Sequence, residues 1–425
     1  MTETNSILIK DTTILSDSII KGSVLVVDNK IEEISTNLVD KDADIVINGQ
    51  NKITMPGLIN THSHVAMTLL RGVGDDQDLQ TWLNEYIWPR EAKLNEELVY
   101  AGSKLAMAEM IKTGTTTFND MYFYMEKTAK AVEESGMRAL LGYGMIDLFD
   151  EKKRKSELNE TKKFIDKCHN TADGRVQVAV APHAPYTCSE EILKESKKLA
   201  DTHNLKLHIH VSETKQEVTD LQKERNETPF EYLNNIGLLD ENTIAAHGVW
   251  TTPEEMKILK EKDVSISHNP SSNMKLASGI APVNNYIKNG INVGIGTDGV
   301  SSNNNLDMFS EMKLTALLQK VNTLDPKVLP AKETFDMATK NGAKALGVNS
   351  GKIKEGKLAD IIIVNTNVPH MTPVRNPLSN IIYSALGTDV DTVICDGKIL
   401  MENKELKTIN EKEVISDAIN AAAEL

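Results

Sequence analysis

The sequence has only three cysteines, Cys168, Cys188 and Cys395, odd in number and far apart. They give neither a disulfide framework nor a C-x-x-C metal knuckle, so a reducing cytoplasm is the compartment that fits. Positive charge is outnumbered, 47 Lys and Arg against 61 Asp and Glu for a formal net charge of −14, and the one basic run, Lys152-Lys153-Arg154-Lys155, is short and flanked by acids. Without a track of Lys and Arg to follow phosphates, no nucleic-acid partner is expected. Apolar runs such as Ile361-Ile362-Ile363-Val364 fall far short of the ~20 residues that span a bilayer, so no membrane partner is expected. The start, Met1-Thr2-Glu3-Thr4-Asn5, has no basic region ahead of an apolar core, and no secretory leader is expected. Neither G-x-G-x-x-G nor G-x-x-x-x-G-K-[ST] follows a strand signal, which removes two common phosphate cradles.

What remains is a soluble globular composition, 40% hydrophobic and 25% charged, in 425 residues. That length exceeds the size at which one core stops growing, so one large domain with a smaller companion is expected. Residues 1–56 read as short strands with turns between them, including Ile7-Leu8-Ile9, Val24 to Val27 and Ile45-Val46-Ile47. The far end repeats the pattern in Ala359 to Val364 and in Thr392 to Leu400, the latter broken by an Asp-Gly turn signal at 396–397. A small sheet domain built from both termini, 1–56 and 348–425 with a C-terminal helix, follows from this.

Between them, 57–347 alternates strand and helix. The strand signals are Ile53 to Ile59, Thr115 to Phe118, Arg138 to Gly144, Val176 to Val180, Leu205 to Val211, Thr243 to Ala246, Val264 to Ser267 and Ile291 to Ile295. Helical patterns lie between most of them, for example Asp78 to Trp88, Glu96 to Lys112, Glu126 to Ser135, Glu190 to Thr202 and Pro253 to Glu261. Eight such units over about 290 residues predict an α/β fold, a closed (β/α)8 TIM-type barrel, ahead of an open doubly wound sheet.

Barrel enzymes keep their chemistry at the carboxyl ends of the strands. Here those ends carry His62 and His64, His183, His208 to Glu213, His247, His268, and Asp298. Side chains alternate along a strand, so His62 and His64 point the same way and make half of a mononuclear metal site. His208 and His210 share a face in the same manner, and either could complete it.

These marks resemble the amidohydrolase superfamily, and within it the deaminases of 5′-methylthioadenosine and S-adenosylhomocysteine. The stretches that carry the resemblance are PGLINTHSHVAMTLLRG (56–72), WLNEYIWPREAKL (82–94), GTTTFNDMY (114–122), APHAPYTCS (181–189), HIHVSET (208–214), AAHGVW (245–250), SHNPSSNMKLASGIAPV (267–283) and GTDGVSSNNNLDMFSEM (296–312). The resemblance implies a β-sandwich for the terminal domain and a metal held by His62, His64, His210 and Asp298. His210 is favoured over His208 because it precedes Glu213 in H-x-x-E spacing, which leaves His208 as a structural histidine. Three imidazoles and one carboxylate with an open position suit one Zn²⁺ per subunit, and Fe²⁺ or Ni²⁺ take the same ligands.

By the same resemblance, Asp298 accepts a proton from the attacking water and Glu213 protonates the ring nitrogen beside the attacked carbon, so both also touch substrate. His247 polarises the developing tetrahedral centre. Glu91, after Trp88-Pro89, would accept both ribose hydroxyls, and His183 would contact the nucleoside. The family places an Arg between these two positions, whereas 142–149 here has none, leaving Arg154 as the nearest reader of a 5′ substituent. Trp82, Trp88 and Met67 could line an apolar wall. The implied partner is an adenine nucleoside: 5′-methylthioadenosine, S-adenosylhomocysteine, 5′-deoxyadenosine or adenosine. A homo-oligomer is implied as well. Competing readings keep the metal but act on guanine, cytosine or a triazine, or drop catalysis altogether, which would predict lost ligands.

Overall fold

A computed structural model describes residues 5–36, 42–77 and 81–425. The front end supplies β1 (Ser6–Leu15), β2 (Ile19–Val27), β3 (Lys30–Ser35), β4 (Ile45–Asn48) and β5 (Lys52–Pro56). The middle supplies β6 (Leu58–His64), β7 (Thr115–Tyr122), β8 (Arg138–Met145), β9 (Val176–Pro182), β10 (Leu207–Val211), β11 (Thr243–His247), β12 (Ser265–His268), β13 (Asn292–Ile295) and the two-residue β14 (Asp298–Gly299). The back end adds β15 (Ile361–Asn365), β16 (Val390–Cys395), β17 (Lys398–Glu402) and β18 (Glu405–Leu406).

Strands β6 to β13 pair in parallel with their sequence neighbours, and β13 closes on β6 through Ile295 and Asn60. This is the expected (β/α)8 barrel. Beyond β13, β14 pairs with β6 so that Asp298 lies opposite Ser63. The helices between strands start where their caps predict. Asn95 accepts from the backbone N–H of Glu97 and Leu98 ahead of Glu96–Lys112, and Thr252 closes a capping box with Glu255 ahead of Pro253–Glu261.

The terminal strands form one continuous nine-stranded sheet. It curls until the β3 side reaches residues 356–359, with Ile31 N–H donating to the Lys357 carbonyl. Ile7, Val24, Ile31, Ile361 and Ile363 share the core inside that curl. The expected sandwich is therefore one sheet folded over itself. Asp396-Gly397 makes the β16–β17 turn with both residues at positive φ, 51° and 73°. A Cβ on Gly397 would sit 1.7 Å from the Asp28 carbonyl oxygen, so only glycine fits that close approach.

Two local expectations change. The single strand read from Ile53 to Ile59 is split at Gly57: β5 belongs to the terminal sheet and β6 to the barrel. A Cβ on Gly57 would lie 2.2 Å from Thr116 Oγ1, so the chain passes from one sheet to the other where it has no side chain. The helix read from Asp78 to Trp88 is a wide π-turn over Trp82–Ile87 followed by Trp88–Glu91, and residues 78–80 lie outside the described residues. Pro89 cannot donate a backbone hydrogen bond, which accounts for the break in the regular ladder.

Candidate functional site

The carboxyl ends of the barrel strands open onto a cavity of about 360 Å³. At its floor, the Nε2 atoms of His62 and His64 each lie 3.3 Å from Asp298 Oδ1, and His210 Nε2 lies 3.3 Å from His64 Nε2. His62 and His210 are buried, and His64 is nearly so. His62 Nε2 has no aligned hydrogen-bond partner, although it is fully buried. Orphaned polar atoms of this kind are rare in native cores and call for an explanation. Two ligand atoms about 2.0–2.1 Å from a tetrahedral Zn²⁺ are roughly 3.3–3.4 Å apart, so these spacings match a shared cation better than direct hydrogen bonds. The donor set thus fits the expected metal.

Backing groups hold the rings. The His64 Nδ1 donates to the Met121 carbonyl (2.6 Å) and the His210 Nδ1 to the His183 carbonyl (2.7 Å). His62 Nδ1 meets His208 Nε2 at 2.9 Å, so His208 stands one layer deeper, behind the cluster. Asn60 Nδ2 donates to Thr297 Oγ1 and Asn60 Oδ1 accepts from the Thr297 N–H, fixing the segment that carries Asp298. Ser212, His247 and Asp298 turn away from their strands with φ of 53°, 75° and 61°. Left-handed backbone is costly for such residues and collects at functional sites.

The electrostatics follow from burial and proximity. Burial pushes His62 down to about 4 and His210 well below its usual value. Burial also opposes charge on His64, but the Asp298 carboxylate beside it wins and raises it to about 9. Burial likewise disfavours the Asp298 charge, yet His62 and His64 hold that carboxylate well below its ordinary range. Glu213 is raised, first by burial and then by the charge of Asp298. Its Oε2 is 3.7 Å from His247 Nε2, which in turn is 3.9 Å from Asp298 Oδ2.

Glu91 and His183 also line the cavity, and Arg154 does not. Tyr122 Oη donates to Glu91 Oε1 at 2.8 Å, and burial raises the Glu91 carboxyl. His183 Nδ1 pairs with Thr187 Oγ1 at 2.9 Å, and burial pushes its ring down to about 3. Arg154, on the helix Glu151–Cys168, turns its guanidinium to Asp147 (3.6 Å) ahead of that helix and to Glu191 (3.3 Å) on the helix Glu190–His203. The expected reader of the 5′ substituent is thus turned away from the cavity, and Lys153 lines the wall instead. Successive helix residues are rotated by about 100°, so one position decides which side chain faces the cavity. Met67, Trp82 and Trp88 form the expected apolar wall, joined by Leu148.

Sequence reading missed three supports. Ser272 Oγ donates to Asp298 Oδ2 (2.6 Å), His247 Nδ1 pairs with Asn273 Oδ1 (2.9 Å), and Tyr122 holds Glu91. The stretch 267–283, which carries Ser272 and Asn273, was the available signal for the first two.

A family model described as "Amidohydrolase family" matches residues 53–400. A 5′-deoxyadenosine deaminase of Methanosphaera stadtmanae is 78% identical over 425 residues, covering all of both chains. The enzyme of the same name from Methanothermobacter thermautotrophicus is 55% identical over 424 residues, covering 100% of this chain and 99% of its own. Among solved structures, an adenosine deaminase from Xanthomonas campestris with bound zinc superposes with a TM-score of 0.94 at 33% identity, covering 99% of this chain and 98% of that one. With its barrel, its strand-end histidines and these relatives in agreement, the chain belongs to the amidohydrolase family.

Proposed function

We propose that this chain is a metal-dependent hydrolytic deaminase of adenine nucleosides, with 5′-deoxyadenosine its first substrate, converting the 6-amino group to a carbonyl with release of ammonia. The observation that carries the reading is the convergence of His62, His64, His210 and Asp298 beside the buried Glu213, whose Oε2 faces His247 Nε2 at 3.7 Å, at the floor of the cavity. Relatives named for 5′-deoxyadenosine, similar over the whole chain, support the substrate. So does the wall of Met67, Trp82, Trp88 and Leu148, which suits an apolar 5′ end, with Lys153 a cation on the same wall.

His62, His64, His210 and Asp298 would hold Zn²⁺, the ion named for the Xanthomonas structure. Such an ion, when bound, lowers the pKa of water toward neutrality and acts as a Lewis acid. Asp298 accepts a proton from the attacking water through Oδ2, the oxygen steadied by Ser272. Glu213, raised by burial, donates a proton to the ring nitrogen next to the attacked carbon. It then takes the remaining proton of the added hydroxyl and passes it to the departing amine, and the proton held by Asp298 returns to Glu213. His247 sits between the two carboxylates and orients the water, its ring fixed by Asn273. Glu91 accepts the ribose hydroxyls with the oxygens that Tyr122 steadies, and His183, kept neutral by burial, contacts the nucleoside.

The test is an ultraviolet assay of the zinc-loaded enzyme with 5′-deoxyadenosine, 5′-methylthioadenosine, adenosine and S-adenosylhomocysteine, with guanine as control. Loss of the adenine chromophore should be fastest for 5′-deoxyadenosine and slowest for S-adenosylhomocysteine. Turnover of guanine alone would sink the reading.

A further inference from the structure

His208 is completely buried on β10, two residues before His210. The proposed ligands His64 and His210 lean on backbone carbonyls, through Met121 and His183. A carbonyl can only accept, so each of those rings carries a proton on Nδ1, and Nε2 is the nitrogen left to face the centre. His62 alone among the three is backed by another imidazole, the His208 Nε2 at 2.9 Å. With His62 Nε2 turned to the centre, its Nδ1 must donate and His208 Nε2 must accept. The His208 proton is then on its own Nδ1. That atom is buried, and no described residue accepts from it.

A buried donor without a partner weakens a fold, and an apolar side chain of similar volume would remove the defect. Its presence directly behind a ligand calls for a return elsewhere. We infer that His208 is a positioning residue for the metal, whose bare Nε2 locks His62 in the tautomer and ring orientation that offer Nε2 to the ion. Groups that back a ligating histidine in this way set its affinity for the metal. The inference rests on the reading that this cluster holds a divalent cation.

The experiment compares zinc affinity, by competition with a chelating dye, for the wild-type chain and for His208→Gln, His208→Phe and His208→Met. Gln can place a carbonyl oxygen near the former Nε2, whereas Phe and Met fill the space and accept nothing useful. Phe and Met should weaken zinc binding about 10–100-fold, Gln should recover most of the loss, and the metal-free Phe and Met variants should melt no lower than metal-free wild type. Wild-type affinity in both apolar variants would overturn the inference, as would a Gln variant as weak as the Phe one. Metal-free Phe and Met variants that both melt far below wild type would also overturn it, because His208 would then be holding the fold. Those three outcomes leave the metal reading standing. Failure of the wild-type chain to bind zinc would remove both.

Discussion

Arg138 opens β8 at the amino-terminal end of the barrel, where its guanidinium meets Asp360 at 3.2 Å and Asp396 at 2.9 Å. All three residues are buried, and the Asp396 N–H also donates to Asp360. At the opposite end lie three imidazoles and Asp298, all but His64 fully as buried, with donor atoms 3.3 Å apart and one nitrogen unpartnered. Both are clusters of buried polar groups in one barrel. The first is closed, every charge answered, and it seams the barrel to the terminal sheet. The second is open, with its atoms spaced for something else to enter. Burial alone does not mark a site; several buried donor atoms converging at the spacing of ligands around a shared cation do.

Breaking each cluster should separate activity from stability. The largest effect is expected from Glu213→Gln, which keeps the shape but loses the proton: turnover should fall by about 10²–10⁴-fold, with zinc content by elemental analysis unchanged. Loss of zinc in that variant would mean Glu213 had been given the wrong role. Arg138→Ala should do the reverse, leaving two buried carboxylates uncompensated and costing about 3–5 kcal/mol in denaturant unfolding, while kcat/KM of the folded enzyme is unchanged.

Glu311 sharpens the comparison, because it is a buried acid near the open end that is fully satisfied, accepting from Ser271 N–H and from Asn303 Nδ2. Burial raises it to about 7. The folded chain therefore holds a proton that the unfolded chain releases near the ordinary glutamate value. The associated stability is complete below about pH 4.5 and is lost as pH rises toward 7, on the order of 3 kcal/mol. Glu311→Gln should flatten that slope in unfolding measurements from pH 4.5 to 8, and an unchanged slope would place the titration elsewhere, Glu217 being the next candidate. The smallest effect is expected from Tyr122→Phe, which removes one hydrogen bond to Glu91: KM for a riboside should rise about fivefold, roughly 1 kcal/mol, with kcat nearly intact. A fall in kcat alone would separate Tyr122 from nucleoside binding.

The residues of the open cluster were legible in the sequence because strand ends and alternation are local properties. His62 with His64 needs no knowledge of the rest of the chain, whereas His210, in H-x-x-E spacing with Glu213, was favoured by the family resemblance. The terminal sheet was legible for the same reason, from Asp396-Gly397 and the short apolar runs. What the sequence left undecided were relations between distant segments. His208 and His210 share one strand face, the resemblance favoured His210, and the layering inside the closed barrel puts the first behind His62 and the second beside His64. Gly57 reads as an ordinary strand residue until Thr116 is packed against it, and Lys153 in place of Arg154 is decided by how one helix is seated on the barrel. Local pattern sets which side chains a strand end carries, and tertiary packing sets the depth and direction at which each one meets the others, because those depend on neighbours tens to hundreds of residues away.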